Sequence, residues 1–350
     1  MRRLQRAFVV AVVLGVTSAC GHAPAVSTSA VSTSADSTPP ASTAVDRTAE
    51  GFRVGGSAWV AVSVARLWDS PSAPWPVDAP ALTSPVHFRR WLSAMTLDQR
   101  RGLFERSQSE ALYAERVVVV GLRPHWAQVV VPSQPSPKDR RGYPGWIPLR
   151  QLTARAPLRT PEVATVISRT AWLRTDDAQH VRTLEISFGT TLHMLGRVGH
   201  FVRVLTPRGY RRLVASGAVV VHATGSAALQ PSRRSLRRSA KTFLGLPYLW
   251  GGLSGFGMDC SGLTWLDYRA HGITIPRDAL PQSRHGRRVS RPAVGDLLFY
   301  ASNGLVHHVS MYIGRGYMIH APHTGDVVRI VPFARQPLRS EYAGARRYLP

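Results

Sequence analysis

The stretch from Gly257 to Leu263, GMDCSGL, places Cys260 beside an aspartate and among glycines, in a chain that has only two cysteines. In the segment that follows, CSGLTWLDYRAHG, apolar residues recur at three- and four-residue spacing before Gly272. This pattern predicts an amphipathic helix that begins at Cys260 and ends near Gly272. Unpaired backbone N–H groups in the first helical turn stabilise a thiolate and can also donate to an oxyanion. We therefore predict that Cys260 is a nucleophile with a lowered pKa.

A cysteine nucleophile needs a base, and a histidine-rich strand is predicted downstream. In GLVHHVSMYIG, His307 shares its face with apolar residues and is the expected partly buried structural histidine, which makes His308 the better candidate base. The segment YMIHAP places His320 on the next predicted strand, where the short turn GRG could bring it beside His308 to orient the base. Because the chain has 13 histidines, spacing alone leaves a chance pairing open.

Two strand-rich units precede this region. Residues 58–152 alternate short β-branched and aromatic runs with turns and include a helical insertion, VHFRRWLSAMTLDQRRGLFERS. Residues 157–222 form a second strand-rich unit. Both are predicted to be small all-β barrels, and the phrases GYPGWIP and ISFGTTL resemble bacterial SH3-like wall modules. Residues 235–350 then form the third unit, after a basic linker.

The amino terminus predicts export. Residues 1–19 have a basic head and an apolar run too short to span a bilayer, which is typical of a signal peptide. Small residues directly before Cys20 resemble a bacterial lipoprotein cleavage box, which implies a lipid on Cys20 and an extracytoplasmic, membrane-anchored protein. An ordinary cleaved signal with an incidental cysteine is the alternative. Residues 20–57, rich in Ser, Thr, Ala and Pro, are expected to be a flexible tether. With Cys20 lipidated, Cys260 has no disulfide partner.

The net charge of +24 comes almost entirely from arginine, since Lys138 and Lys241 are the only lysines. Such a charge attracts polyanions, and anionic wall polymers are one candidate partner. No basic stripe interleaved with aromatic residues and no nucleic-acid motif occurs, so nucleic acid is not expected as a partner. The other explanation of the net charge is an arginine-biased composition whose charged side chains only form a solvated surface.

The motifs of the last third of the chain resemble those of the NlpC/p60 family of cell-wall cysteine peptidases. GLPYLWGGLSGFGMDCSGL, IPRDALPQ, GDLLFY, HHVSMYIG and MIHAP occur in the family's order over roughly residues 235–348. The resemblance implies an α+β, papain-like fold and cleavage of amide bonds in peptidoglycan stem peptides. It also implies that Cys260 is the nucleophile, His308 the base and His320 the orienting residue, with neither metal nor organic cofactor.

The whole architecture, with two SH3-like modules before the catalytic domain, is similar to the γ-D-glutamyl-L-diamino acid endopeptidase group. The phrases LYAE, GYPGW and IPRDA carry this likeness, although Ala114 stands where glycine is usual. The resemblance implies a substrate with a free N-terminal L-alanine and a first module that helps wall off the site. The residues it places at the substrate are Glu115, Tyr143, Tyr248, Trp250, Asp259, Ser261 and Asp278.

These residue types suit such a substrate, because an α-ammonium group is bound by carboxylates such as Glu115, Asp259 or Asp278. Simpler roles are open for some of them: core packing for Trp250, a helix cap for Asp259, and a solvated strand charge for Glu115. The function also keeps two alternatives. One is an endopeptidase acting on intact wall, and the other is a catalytically silent wall-binding lipoprotein.

Overall fold

A computed structural model describes residues 51–334 and 337–350, within one compact unit that extends from Asp46 to Pro350. The predicted signal peptide, the lipidation site Cys20 and the tether up to residue 50 lie outside the described residues. Within the described part of the chain, every helix is too short or too polar to cross a membrane.

The first module is an antiparallel sheet with a helical insertion between its second and third strands. Its strands are β1 (Ser57–Val60), β2 (Val64–Trp68), β3 (Ser107–Leu112), β4 (Arg116–Arg123), β5 (Trp126–Val131), β6 (Tyr143–Pro148) and β7 (Leu152–Thr153), in the spatial order β3-β2-β6-β5-β4-β1-β7. The insertion contains α1 (Phe88–Ala94) and α2 (Leu97–Arg101), with 3-10 turns at Pro76–Ala81 and Gly102–Glu105; a third turn, Leu149–Gln151, precedes β7. Trp68 and Trp91 pack edge to face inside this module, 6.4 Å between ring centroids, so the insertion shares the core of the sheet.

The second module repeats the antiparallel arrangement around a core of its own. It contains β8 (Glu162–Val166), β9 (Thr170–Thr175), β10 (Arg182–Ser187), β11 (Thr191–Val198), β12 (Phe201–Leu205), β13 (Arg211–Ala215) and β14 (Val219–Ala223), with a 3-10 turn at Ser216–Ala218. The spatial order is β10-β9-β13-β12-β11-β8-β14. Buried Val, Leu and Ile side chains alternate with exposed residues along the strands, as the sequence pattern predicted.

The third unit is a helix packed on an antiparallel sheet, which confirms the predicted α+β class. Its helices are α3 (Arg233–Lys241), α4 (Cys260–Ala270) and α5 (Ala279–Arg284). Its strands are β15 (Leu253–Ser254), β16 (Gly257–Met258), β17 (Arg287–Val289), β18 (Leu297–Ser302), β19 (Leu305–Gly314), β20 (Tyr317–His320), β21 (Arg329–Pro332) and β22 (Tyr342–Arg347). β15 pairs with β16, and the main sheet has the order β17-β22-β18-β19-β20-β21.

The central helix α4 differs from the amphipathic helix that the sequence predicted. Every residue of α4 except Arg269 is buried. Leu263 and Leu266 belong to the same core cluster as Val309 and Met311 of β19. α3, α5 and β15 also pack on α4, and Glu115 of the first module and Gly189 of the second lie against its last turns. This packing cannot be read from helical periodicity.

Aromatic contacts join both modules to the catalytic unit. Phe88 of the first module lies 5.3 Å from Phe256 between ring centroids, and Phe188 of the second module lies 5.1 Å from Phe243. Such buried aromatic pairs fix the relative position of the units. The loops that precede α4 are therefore held from both sides.

Candidate active site

Cys260 is the first residue of α4, where the sequence predicted it. The carboxylate of Asp259 caps the helix and accepts a hydrogen bond of 2.6 Å from the backbone N–H of Gly262. Only glycine fits at position 262, because a Cβ there would lie 2.1 Å from the carbonyl oxygen of Gly252. The D-C-S-G phrase therefore contains a cap, the thiol and a point of close backbone contact.

The pKa of the Cys260 thiol is raised to about 12, so the prediction of a lowered pKa is wrong for the empty site. Burial is the main cause, and the negative charge of Asp259 adds to it. Backbone N–H groups of Val309 and Ser261 act in the opposite direction but do not outweigh burial. The contact with Val309 places the sulfur against β19, immediately after His308. The resting nucleophile is thus a neutral thiol beside the candidate base.

His308 and His320 lie side by side on the hairpin β19–β20, as predicted. The Nε2 atom of His308 lies 2.9 Å from the Nδ1 atom of His320, and both side chains are buried. Burial first, and the neighbouring His320 second, lower the pKa of His308 well below its ordinary value. His308 is therefore a neutral imidazole whose Nε2 lies against Nδ1 of His320.

His307 does not have the buried structural role that alternation predicted. Its side chain is 42% exposed, and its Nε2 lies 3.3 Å from a carboxylate oxygen of Glu341. The strand pairing explains the difference, because Tyr300 pairs with His308 while Ala301 pairs with Val306. His307 is thus the extra residue of a β-bulge, which interrupts the period of two.

Arg277 forms the centre of a buried polar cluster beside the nucleophile. Its guanidinium donates to both carboxylate oxygens of Asp259, at 2.9 Å and 3.1 Å, and to the Ser261 hydroxyl at 3.0 Å. It also donates to the hydroxyl of Ser109, at 3.0 Å, in the first module. Burial alone would lower the pKa of Arg277, but the Asp259 carboxylate raises it above its ordinary value. Asp259 is therefore a neutralised helix cap, not a free acceptor for a cation.

Tyr143 and Asp278 meet across the boundary between the first module and the catalytic unit. The Tyr143 hydroxyl donates to the Asp278 carboxylate, with distances of 3.1 Å and 3.3 Å to its two oxygens. It accepts a hydrogen bond of 2.8 Å from the Nζ of Lys138. Burial raises the pKa of both Asp278 and Tyr143. This carboxylate is consequently sensitive to any cation that enters beside it.

Tyr248 and Trp250 lie on the loop that leads to β15. Burial raises the pKa of Tyr248 well above its ordinary value, and the charge of a Cys260 thiolate is the next cause, which places the phenol near the sulfur. Trp250 is half-buried, with its ring 4.8 Å from that of Phe104, and its carbonyl accepts from Arg66 at 2.8 Å. Tyr248 thus stands next to the nucleophile, whereas Trp250 links the loop to the first module.

The structure places Glu115 in an ion pair away from Cys260, and its predicted role in substrate binding stays a prediction. Its carboxylate forms an ion pair of 3.0 Å with Arg269 and accepts from the backbone N–H of Leu112 at 2.9 Å. Arg269 lies in the last turn of α4, about 13 Å along the helix axis from Cys260. Glu115 is also buried rather than solvated, and it joins the first module to α4.

Sequence reasoning missed Arg277 and Lys138. Arg277 lies inside the quoted phrase IPRDA, directly before Asp278, and a buried arginine next to a candidate carboxylate was the available signal. Lys138 was visible as one of two lysines, but nothing local predicts its contact with Tyr143. In residues 51–334 and 337–350, no group of three or more His, Cys, Asp or Glu side chains could hold a metal ion.

Comparisons with known proteins agree with this geometry. Residues 245–347 match the NlpC/P60 family, and residues 166–221 match the YKFC SH3b2 domain. The chain is 40% identical over 303 residues to a γ-D-glutamyl-L-lysine dipeptidyl-peptidase of Bacillus cereus, covering 84% of this chain and 91% of the relative. It is 37% identical over 292 residues to the Bacillus subtilis protein of that name, covering 81% and 96%.

A crystal structure of an NlpC/P60 family protein from Bacillus cereus superposes with a TM-score of 0.79 at 39% identity. The match covers 84% of this chain and 100% of that structure, so it includes the modules as well as the catalytic unit. The predicted resemblance is confirmed. This chain, with its SH3-like modules followed by a mixed α/β catalytic domain, belongs to the NlpC/P60 family of peptidases.

Proposed function

We propose that this protein is a cysteine endopeptidase that hydrolyses the bond between γ-D-glutamate and the diamino acid in peptidoglycan stem peptides with a free N-terminal L-alanine. The observation that carries the proposal is the carboxylate of Asp278, which Tyr143 of the first module covers beside the Cys260 cluster. A carboxylate in this position suits the ammonium group of an N-terminal residue. The two Bacillus relatives carry names that specify γ-D-glutamyl-L-lysine and removal of a dipeptide, which agrees with this substrate.

The proposed mechanism begins from a neutral pair. His308 takes the thiol proton on Nδ1 as the Cys260 sulfur attacks the γ-glutamyl carbonyl, and backbone N–H groups at the start of α4 stabilise the oxyanion. The Nε2–H group of His308 donates to Nδ1 of His320, which keeps the ring oriented with Nδ1 unprotonated. The imidazolium then gives its proton to the leaving amine of the diamino acid. Water, activated by neutral His308, attacks the thioester and releases the dipeptide and the free thiol.

The direct test uses the chain from Asp46 onward, which forms one compact unit. It is incubated with L-Ala-γ-D-Glu-L-Lys, with the meso-diaminopimelate equivalent, and with both peptides acetylated at the N-terminus, and products are identified by mass spectrometry. Cleavage of the free peptides alone, at the glutamyl bond, is the expected result. If the acetylated peptides are cleaved too, the result supports an endopeptidase that acts on intact wall. The Cys260→Ala variant is the control, and substantial residual turnover there contradicts the mechanism.

We also propose, from the sequence alone, that Cys20 carries lipid and anchors the protein at the outer face of the membrane. The predicted tether of residues 20–57 is too long at its end, because Phe52 packs against the core of the folded part and Gly55 and Gly56 bond to the backbone of Val119; the proposed tether therefore ends before Phe52. The net charge of +24 supports the further proposal that anionic wall polymers bind the arginine-rich surface. Labelling with an alkyne fatty acid, lost in the Cys20→Ala variant, tests the anchor. Salt-sensitive sedimentation with polyanionic wall fragments, compared with neutral glycan, tests the polymer.

A further inference from the structure

Four carboxylates lie where the first module meets the catalytic unit, and they differ in the group that neutralises them. Three of them are each bonded to a guanidinium in the pairs Arg66–Glu110, Arg269–Glu115 and Arg277–Asp259. The carboxylate of Asp278 instead accepts hydrogen bonds from the phenol of Tyr143. Asp278 is therefore the carboxylate of this set that can exchange its cation without breaking a guanidinium pair.

A lysine ammonium already lies next to Asp278. The Nζ of Lys138 donates to the Tyr143 hydroxyl at 2.8 Å and lies 4.7 Å from the centroid of the tyrosine ring. Because Tyr143 is 3.1 Å from Asp278, the ammonium lies within about 6 Å of the carboxylate. At this distance opposite charges attract. Burial raises the pKa of Asp278, and the charges of Arg277 and then Lys138 lower it; of these two cations, Arg277 is already bonded to both oxygens of Asp259.

The backbone that carries Lys138 is fixed, whereas its side chain is exposed. The carbonyl of Pro135 accepts from the backbone N–H of Arg277 at 3.0 Å, and buried Gln134 donates to the carbonyl of Glu110 at 2.6 Å. The first bond holds the base of the loop on the catalytic unit, and the second holds it on β3 of the first module. Lys138 itself is exposed, so its ammonium can turn into solvent without movement of the loop.

We propose that Lys138 is a specificity-determining residue whose ammonium acts as the counter-ion of Asp278 in the empty enzyme and is displaced when the amino terminus of the substrate binds. This inference rests on the proposed function. A free α-ammonium can replace the lysine at the Tyr143–Asp278 pair, because it carries the same charge and can donate the same hydrogen bonds. An acylated terminus carries no charge and leaves the lysine in place. Lys138 thus competes with the substrate that the site selects.

The inference predicts that removal of the charge of Lys138 strengthens substrate binding. Lys138→Met keeps the length of the side chain and removes the competing ammonium, so KM for L-Ala-γ-D-Glu-L-Lys is expected to fall about two- to fivefold, the range of an exposed ion pair. The value of kcat should stay unchanged. The difference between wild type and variant should shrink as salt is added, because the competition is electrostatic.

The experiment measures KM and kcat of the full chain, Lys138→Met and Lys138→Arg with the free peptide, and measures their affinity for the N-acetyl form by calorimetry. Lys241→Met is the matched control, because Lys241 is the other lysine of the chain and lies at the end of α3. In a Cys260→Ala background, calorimetry with the dipeptide L-Ala-γ-D-Glu gives affinities independent of turnover. We expect tighter binding for Lys138→Met, and no gain for Lys138→Arg or Lys241→Met.

The outcomes separate this inference from the proposed function. If the free peptide is cleaved but Lys138→Met raises KM, the lysine supports Tyr143. The inference is then overturned, while the proposed function stands. The inference is also overturned if KM of Lys138→Met is unchanged, or if this variant binds the free and the acetylated peptide more tightly by the same factor. If wild type neither cleaves the free peptide nor binds the dipeptide, the proposed function fails and this inference fails with it.

Discussion

Arg277 bonds both oxygens of the Asp259 carboxylate while its Nε reaches Ser109 of the first module at 3.0 Å. One buried guanidinium thus joins the cap of the nucleophile's helix to a neighbouring module. The arrangement makes the position of Cys260 depend on a residue outside the catalytic motif. It also makes the helix cap depend on the charge of Arg277.

Replacement of Arg277 by Met is expected to destabilise the protein by about 3–5 kcal/mol, because Asp259 would stay buried without its cation. Urea unfolding of the chain from Asp46 onward measures the change. Arg101→Met is the control, since Arg101 pairs with Asp98 at the exposed surface and should change stability by less than about 0.5 kcal/mol. Equal losses of unfolding free energy in the two variants would contradict the role given to the buried Arg277–Asp259 pair.

The raised pKa of Cys260 predicts slow alkylation of the empty enzyme at neutral pH. A pKa of about 12 means that the thiolate fraction grows with pH throughout the range from about 6 to 9. The rate of reaction with iodoacetamide should therefore rise about tenfold per pH unit. The Cys20→Ser variant restricts the measurement to Cys260, because these are the two cysteines of the chain.

Urea-unfolded protein provides the reference for this pH profile, since its thiol should titrate near pH 8.5. A folded-state rate that is already constant between pH 6 and 8 would show a preformed thiolate–imidazolium pair. That result would mean that the burial of Cys260 and His308 does not keep the pair neutral.

Asp278→Asn should weaken recognition of the free amino terminus specifically. The amide keeps a similar shape and can still accept from Tyr143, but it lacks the negative charge. A lost hydrogen bond between charged groups costs about 1.5–3 kcal/mol, so KM for L-Ala-γ-D-Glu-L-Lys should rise about 10- to 100-fold. The weak affinity for the N-acetyl peptide, measured by calorimetry in the Cys260→Ala background, should change little. A similar loss of affinity for both peptides would show that Asp278 supports the fold and does not recognise the ammonium group.

Ala114→Gly is expected to stabilise the protein by about 0.5–1 kcal/mol. Ala114 has a φ of 66°, a left-handed conformation that is unfavourable for a residue with a Cβ, and the greater freedom of glycine in the unfolded chain offsets part of the gain. Thermal unfolding measures the shift. Ala215→Gly is the control, since this exposed alanine has a φ of −58° and should lose stability on the same change. A loss of stability in Ala114→Gly would contradict the prediction that the left-handed conformation of Ala114 is unfavourable.

Local sequence patterns predicted the elements that carry the catalytic residues. The helix from Cys260 and the hairpin that pairs His308 with His320 depend on spacing within about a dozen residues, and both are present. The thiol pKa was predicted wrongly, because the favourable helix end is local while the burial that opposes it comes from β19 and the modules. Alternation likewise failed at His307, where a bulge depends on the paired strand β18.

The long-range partners were beyond the reach of the sequence. Glu115 lies in a recognisable phrase, but its ion pair with Arg269 forms only when the first module packs on α4. The contacts of Arg277 with Ser109 and of Lys138 with Tyr143 depend in the same way on the loop at Pro135. Arg277 and Ser109 are separated by 168 positions in the chain, so no local period indicates their contact. Lys138 and Tyr143 are close in the chain, but Lys138 lies in a loop without a regular period.

The contact between Tyr143 and Asp278 has a consequence for how such a peptidase evolves. The bond-breaking residues and Asp278 are encoded in one stretch of the gene, whereas Tyr143 and Lys138, which under the proposed function adjust the recognition of the amino terminus by Asp278, are encoded in another. Exchange of the first module by recombination would therefore change which peptide ends the enzyme accepts while Cys260, His308 and His320 stay as they are. Catalytic rate and choice of substrate can in this way be inherited and altered independently.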